Sequence, residues 1–199
     1  MNSTTQSSKR LIVGISGASG VIYGIEILKA LREQAIESHL VVSKSAILTL
    51  SHETKLKYSD LIELADVHYP NTDIGAAIAS GSFKSMGMIV APCSIRSLSE
   101  ISSGVTSSLL SRAADVVLKE RRRLVLMVRE TPLHAGHLQN MLNVTNMGGI
   151  IAPPVPAFYT KPSSLDDMVK QTIGRALDLF DIDTNLVTRW GEDIDISKP

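Results

Sequence analysis

The first segment whose residue types could do chemistry is RLIVGISGASG, at residues 10–20. Its apolar start is typical of a buried parallel strand, and Gly14, Gly17 and Gly20 follow before a helix-like pattern begins. Glycine lets a ligand approach the backbone, and the start of a helix offers free N–H groups and a positive dipole end to an anion. The segment therefore predicts a phosphate site between a strand and a helix.

The spacing of these glycines distinguishes between phosphorylated cofactors. Dinucleotide-binding folds carry Gly-x-Gly-x-x-Gly and an acidic residue after the second strand, whereas this chain has Gly-x-x-Gly-x-x-Gly and lacks that acid. The pattern favours a mononucleotide such as FMN over NAD. The same turn could also serve only to join strand to helix tightly, so this segment alone leaves both interpretations open.

Small hydroxyl and charged residues also follow three other predicted strands. They are Ser43, Lys44 and Ser45, then residues 92–97, and then Arg129, Glu130 and Thr131. Since parallel strands end at one edge of a sheet, these groups are expected to line one cradle suited to a flavin ribityl phosphate. Serines at helix starts are also common N-caps, which is the simpler alternative. Successive strand residues point opposite ways, so Arg129 and Glu130 should serve different sites, one of them in a neighbouring subunit.

Alternating strand and helix patterns position these residues. Predicted strands cover residues 10–16, 38–42, 66–69, 86–91, 124–129 and 149–152, and predicted helices cover 21–34, 45–54, 59–65, 94–102, 105–121, 137–146 and 164–179. The pattern predicts a single α/β domain over residues 10–199, a flavodoxin-like or Rossmann-like three-layer fold with a mostly parallel sheet. Residues 1–9 are polar and are predicted to form a flexible N-terminus.

The composition excludes several classes of function. Lys plus Arg and Asp plus Glu number 20 each, so no net charge attracts nucleic acid or an anionic membrane. No apolar run approaches the ~20 residues of a membrane span, and the first residues lack a signal-peptide core, so a cytoplasmic location is expected. The histidines and the single cysteine, Cys93, have no metal-ligand spacing, and no metal is expected.

Seven motifs give the chain a resemblance to the UbiX/Pad family of flavin prenyltransferases, formerly described as aromatic-acid decarboxylases. They are GISGASG (14–20), APCS (91–94), RAADVVLKERR (112–122), LVLMVRETPLH (124–134), NMLNVTNMG (140–148), PAFYTKP (156–162) and RWGE (189–192). The resemblance implies a homododecamer with sites between subunits and no metal. It also implies transfer of a dimethylallyl group from dimethylallyl monophosphate to N5 and C6 of reduced FMN. The product, prenylated FMN, would pass to a UbiD-type decarboxylase.

The resemblance further implies roles for individual residues. The residues that would contact FMN are Gly17, Ala18, Ser19, Ser43, Glu53, Ser94 and Arg129. The two catalytic residues would be Ser19, which supports proton movement, and Glu130, the acid–base residue. The residues that would bind the prenyl phosphate or line the prenyl pocket are Arg112, Lys119, Tyr159, Arg175 and Trp190. Arg112 and Lys119 are seven residues apart on one predicted helix, so both should point to one place.

Two alternative functions remain at this point. One is a flavin-dependent cysteine decarboxylase, although the PxMNxxMW-like segment of those relatives is replaced here by His137-Leu138-Gln139-Asn140-Met141. The other is a non-catalytic protein that binds FMN and delivers it to a partner. A change at Glu130 separates the prenyltransferase from the second alternative, because only catalysis needs that carboxylate.

Overall fold

The computed structural model describes residues 9–194, and the predicted N-terminal segment lies, except for Lys9, outside the described residues. The strands are β1 (Arg10–Ile15), β2 (Glu37–Val42), β3 (Val67–Tyr69), β4 (Gly87–Cys93), β5 (Arg123–Val128) and β6 (Ile150–Ile151). The helices are α1 (Val21–Glu33), α2 (Lys44–Glu53), α3 (Tyr58–Ile62), α4 (Ile95–Ser103), α5 (Leu109–Lys119), α6 (Ala135–Asn146) and α7 (Leu165–Asp178). Short 3₁₀ helices span Ala77–Ala79 and Phe158–Thr160.

The six strands form one sheet in the order β3-β2-β1-β4-β5-β6, and every pair of neighbours is parallel. The order reverses between β1 and β4. In sheets of this kind a ligand binds beyond the carboxyl ends of the strands at the point of reversal. The loop after β1 and the start of α4 flank that point. The topology therefore predicts a ligand site beside two of the segments identified from the sequence.

Helices cover both faces of the sheet and make the predicted three layers. One buried apolar cluster contains side chains of α1, α2, α3 and α7, and the other contains side chains of α4, α5 and α6. Successive residues of β1 alternate between the two clusters, with Leu11 in the first and Ile12 in the second. The α/β fold predicted from the strand and helix patterns is confirmed.

The largest difference from the predicted elements concerns α5, which is shorter than the predicted helix 105–121. It begins at Leu109 because the Ser108 hydroxyl caps it, in a capping box with Ser111. It ends at Lys119, and Arg121 has a φ of 56°, which is left-handed backbone that a helix cannot continue through. Within residues 9–194 no helix is both long and apolar enough to cross a bilayer.

Candidate functional site

A cleft of about 630 Å³ opens at the carboxyl edge of the sheet, between the starts of α2, α4 and α5 and the loop after β3. Six serines give it a wall of hydroxyl groups: Ser43, Ser45, Ser94, Ser97, Ser107 and Ser108. The cleft contains residues of two of the three groups expected to line a polar cradle, those that follow β2 and β4, whereas Arg129, Glu130 and Thr131 are not among its lining residues. A cavity of this size is within the range that small-molecule and cofactor sites occupy.

Two helix starts at the cleft carry free backbone donors. Ser43 caps α2 by accepting the Ala46 N–H at 3.1 Å, and Ser94 caps α4 by accepting the Ser97 N–H at 3.2 Å. The N–H groups of the first two residues of each helix, at positions 44–45 and 95–96, have no partner among residues 9–194. Free N–H groups and aligned helix dipoles form an anion site, so a phosphate would be stabilised here.

The start of α1 differs, because a carboxylate already occupies it. Glu53 Oε2 accepts the Gly20 N–H at 2.9 Å and the Val21 N–H at 3.0 Å, and the Ser19 hydroxyl also hydrogen-bonds this carboxylate. Burial raises the pKa of Glu53, but these hydrogen bonds and the charge of Arg129 outweigh it and hold the pKa below its usual value. The N–H groups of Gly20 and Val21 are therefore already occupied, and the phosphate site predicted at this turn stays a prediction.

Gly17 serves close packing in this loop. A Cβ placed on Gly17 would lie 2.3 Å from Ser45 Oγ and 2.4 Å from Ser45 Cβ, so the loop after β1 touches the start of α2 directly. Gly20 has a φ of 100°, which favours glycine. The predicted FMN contacts Gly17, Ala18 and Ser19 therefore belong to a loop that the neighbouring helix holds in place.

Arg129 and Glu130 come directly after β5 and have different surroundings. The Arg129 N–H donates to the carbonyl of Cys93 at 3.0 Å, and its charge acts on Glu53 and on Tyr23. The exposed Glu130 carboxylate accepts the Thr131 N–H at 3.0 Å and makes no ion pair among the described residues. The two side chains thus have different partners, and their use in different sites stays a prediction.

The predicted prenyl-phosphate cations are not brought together within one chain. Arg112 pairs with Asp115 at 2.7 Å, and Lys119, seven residues later on the same helix, pairs with Glu120. Arg175 is on α7, whose apolar side chains belong to the other cluster, on the opposite face of the sheet. The expectation that Arg112 and Lys119 point to one place stays a prediction, because residues seven apart lie on the same side of a helix.

Tyr159, Arg175 and Trp190 lie on the α7 side of the molecule. The rings of Tyr159 and Trp190 meet edge to face with centroids 5.3 Å apart. Asp178 pairs with Arg175 and receives two bonds from Arg189, of 2.9 and 3.1 Å, which fasten the segment before Trp190 to α7. Trp190 is 61% exposed, so the aromatic pair presents a large apolar surface.

Cys93 is fully buried, and burial raises the pKa of its thiol to about 12. The thiol stays protonated at neutral pH and is not a nucleophile. No group of three His, Cys, Asp or Glu side chains with metal-binding geometry occurs in residues 9–194.

Three residues that line the cleft were not among the predicted site residues. Asn71 and Thr72 follow β3, and Ser107 precedes α5. The signal for Asn71 was weak, because β3 is only three residues long and the loop after it carries no distinctive motif.

Comparisons with known proteins agree with the geometry. The profile of the family described as Flavoprotein matches residues 1–177. A flavin prenyltransferase UbiX of Neisseria meningitidis serogroup B is 56% identical over 182 residues, which cover 92% of this chain and 96% of that protein.

Two solved structures are similar over most of their length. One, AnUbiX (PadA1) in complex with FMN and dimethylallyl pyrophosphate, superposes with a TM-score of 0.92 at 50% identity and covers 92% of this chain and 98% of that one. The other, a dodecameric FMN-dependent Ubix-like decarboxylase from Escherichia coli O157:H7, has a TM-score of 0.89 at 47% identity and covers 91% and 98%. On these matches, together with the cleft, the chain belongs to the flavoprotein family, among the UbiX-type flavin prenyltransferases.

Proposed function

We propose that this protein joins a dimethylallyl group, taken from dimethylallyl monophosphate, to N5 and C6 of reduced FMN and so makes prenylated FMN. The observation that carries the proposal is the cleft at the carboxyl edge of the sheet, in a chain 56% identical to a flavin prenyltransferase. The proposal also includes a cytoplasmic location and a UbiD-type decarboxylase as recipient of the product.

The residues of the cleft fit FMN. The starts of α2 and α4 supply unpaired N–H groups to a phosphate, and the serine hydroxyls can exchange hydrogen bonds with a ribityl chain. Ser43 and Ser94 shape the two helix starts, and Arg129 places a positive charge near the loop of residues 17–19. FMN bound here in its reduced form supplies the nucleophilic N5 and C6 atoms.

The cations and aromatic rings have the chemistry that the donor requires. The allylic C–O bond breaks with its electron pair going to phosphate, so negative charge develops on the departing group. Lys119, Arg175 and the Tyr159 hydroxyl stabilise that charge, with Arg112 as a further cation. The rings of Tyr159 and Trp190 favour a neighbouring allylic cation and exclude the water that would convert it to an alcohol.

Ring closure at C6 releases a proton, and Glu130 accepts it. The Glu130 carboxylate is exposed, and one of its oxygens accepts only the neighbouring Thr131 N–H, which leaves acceptor positions for a proton. Ser19 hydrogen-bonds the ionised Glu53, which orients its hydroxyl at the edge of the flavin site and suits it to proton movement.

The split cation set supports an oligomer with sites between subunits. Because Lys119 and Arg175 lie on opposite faces of one sheet, a site that uses both needs residues of at least two copies. The similar E. coli O157:H7 structure is a dodecamer, and we extend that assembly to this chain.

Glu130→Gln tests the proposal. Wild-type protein mixed anaerobically with reduced FMN and dimethylallyl monophosphate, without added metal, should give prenylated FMN detectable by mass spectrometry. Glu130→Gln should lower turnover by about 100-fold or more, because a general base contributes 10²–10⁴-fold. Its affinity for FMN should be unchanged, since the carboxylate accepts the proton and does not hold the flavin.

Glu33→Gln, an exposed position at the end of α1, is the matched control and should retain full turnover. If wild-type protein returns only unmodified FMN, the prenyltransferase proposal is wrong. If wild type and Glu130→Gln bind FMN equally and neither forms prenylated FMN, the result would support the non-catalytic alternative.

A further inference from the structure

The loop after β3 forms one wall of the cleft and has no part in the roles described above. Asn71 is half-buried and Thr72 is exposed, and both line the cleft. The loop contacts the start of α5, which lies almost forty residues further along the chain. This part of the cleft is therefore shaped by contact between two distant segments.

Asn71 holds the start of α5 with both of its oxygen atoms. Its backbone carbonyl accepts the Leu109 N–H at 2.8 Å, and its side-chain Oδ1 accepts the Leu110 N–H at 3.0 Å. The next N–H, that of Ser111, is bonded to Ser108 Oγ at 3.3 Å. The first three N–H groups of α5 are therefore occupied and do not bind an anion, in contrast to the starts of α2 and α4.

The bond to Leu110 also fixes how the Asn71 amide is turned. A backbone N–H needs an acceptor, so Oδ1 and not Nδ2 must face Leu110. The Nδ2 group carries two N–H donors, and neither has a hydrogen-bond partner among residues 9–194. Because Asn71 lines the cleft, these donors are available to an acceptor bound there.

The charged groups on the cleft indicate what kind of acceptor that would be. Lys44 and Arg96 are cations, and the one carboxylate, Glu100, is paired with the Arg96 Nε at 2.9 Å. Lys44 has no ion-pair partner among the described residues, so the lining keeps a net positive charge. The free N–H groups of α2 and α4 add to it. These surroundings stabilise an anionic oxygen more than a neutral one.

We infer that Asn71 is a phosphate-binding residue and that its Nδ2 donates a hydrogen bond to the phosphate of bound FMN. The inference rests on the proposed function and adds a residue that the family motifs did not identify. The oxygen atoms of Asn71 anchor α5, while its side-chain nitrogen holds the ligand, so one residue joins the fold to the cofactor site.

Asn71→Asp separates these two tasks. The carboxylate keeps an acceptor for the Leu110 N–H at a helix start, where negative charge is favourable, so α5 stays capped. It also replaces the donor by a negative charge beside the phosphate. We expect the Kd for FMN, followed by flavin fluorescence, to rise about 10- to 100-fold. The Kd for riboflavin, which has no phosphate, should change by less than about threefold.

Asn146→Asp makes the same change of charge at the last residue of α6, just before the amino end of β6, and should leave both affinities unchanged. An unchanged affinity of Asn71→Asp for FMN would overturn the inference. Equal weakening of FMN and riboflavin would also overturn it, because Asn71 would then be only structural.

If a thermal melt shows that Asn71→Asp is unfolded, a crystal structure of the wild-type protein with FMN decides the question. Nδ2 within about 3.2 Å of a phosphate oxygen would support the inference, and a longer distance would overturn it. A wild-type protein that binds FMN but makes no prenylated product would end the proposed function and leave this affinity comparison intact.

Discussion

The cleft proposed to bind FMN and the cations proposed to bind the prenyl phosphate differ in how much of each a single chain supplies. The cleft is formed within one chain, because the starts of α2, α4 and α5 and the loop after β3 all converge at one edge of the sheet. The cation set is divided, because Lys119 is on α5 and Arg175 is on α7, across the sheet. One chain therefore forms the cleft by itself, whereas the proposed leaving-group site, if it uses both Lys119 and Arg175, requires a second copy.

The difference follows from how a parallel sheet places its residues. Every strand ends at the same edge, so residues that follow strands gather without further contacts. Residues near the ends of helices lie at the opposite edge or on the outer faces, and only another subunit can bring two faces together. Lys119, the last residue of α5, and Arg175, in the last turn of α7, are of the second kind.

The largest expected effect comes from removing one of the two cations in one chain and the other cation in a second chain. Lys119→Met and Arg175→Met should each lower prenyl transfer by about 100-fold or more, because each removes a charge that stabilises the leaving phosphate. Oligomers assembled from both variants should recover roughly a quarter of wild-type activity, since a site that takes each residue from a different copy is intact at that frequency. Turnover of co-expressed, doubly tagged oligomers measures this recovery.

Oligomers assembled from the Tyr159→Phe and Arg175→Met variants are the matched control. Both residues are on the α7 side of the chain, so the same copy should supply both of them to a given site. Every site then lacks one of the two residues, and mixing should restore no activity. If the Lys119→Met and Arg175→Met mixture also recovers nothing, the division of the site between copies is wrong.

The sequence predicted the positions that follow strands better than those that depend on contacts between segments. Ser43 and Ser94 were identified because an apolar strand followed by a hydroxyl is a local pattern. Asn71 was missed because its role depends on α5, almost forty residues away. The end of α5 was misplaced because nothing local in the run of three arginines shows that Arg121 adopts a positive φ.

Gly17→Ala tests whether FMN binding in the cleft depends on the close contact between the loop after β1 and the start of α2. The added Cβ would lie 2.3 Å from Ser45 Oγ and 2.4 Å from Ser45 Cβ, so rotation of the serine hydroxyl cannot relieve the clash and the start of α2 must move. We expect the Kd for FMN to rise about tenfold and the free energy of unfolding to fall by about 1–3 kcal/mol. Fluorescence titration and urea unfolding measure the two effects.

Gly75→Ala is the control, since its Cβ would meet nothing closer than Asp73 Oδ1 at 3.6 Å. It should leave both measurements near their wild-type values. Retention of wild-type FMN affinity in Gly17→Ala would mean that the cleft binds FMN even when α2 moves. FMN affinity would then not depend on the contact between the loop after β1 and α2.

The smallest expected effect concerns Glu53, which makes the start of α1 unlike the starts of α2 and α4. Glu53→Gln keeps an oxygen for the Gly20 N–H but loses the charge, so the free energy of unfolding at pH 7 should fall by about 1 kcal/mol. Urea unfolding over a range of pH measures it. Glu33→Gln, at the exposed far end of α1, should change it by less than about 0.5 kcal/mol.

The pH dependence gives the sharper test, because only the wild type can gain a proton at this position. The folded-state pKa of Glu53 lies below the ordinary value of 4.5, so below pH 4.5 the unfolded chain binds more protons than the folded one. The stability advantage over Glu53→Gln should therefore be complete above pH 4.5 and decline as the pH falls through the folded-state pKa. An advantage that stays constant down to pH 3 would show that the charge of the carboxylate does not stabilise the start of α1, and the contrast in charge with the starts of α2 and α4 would then be wrong.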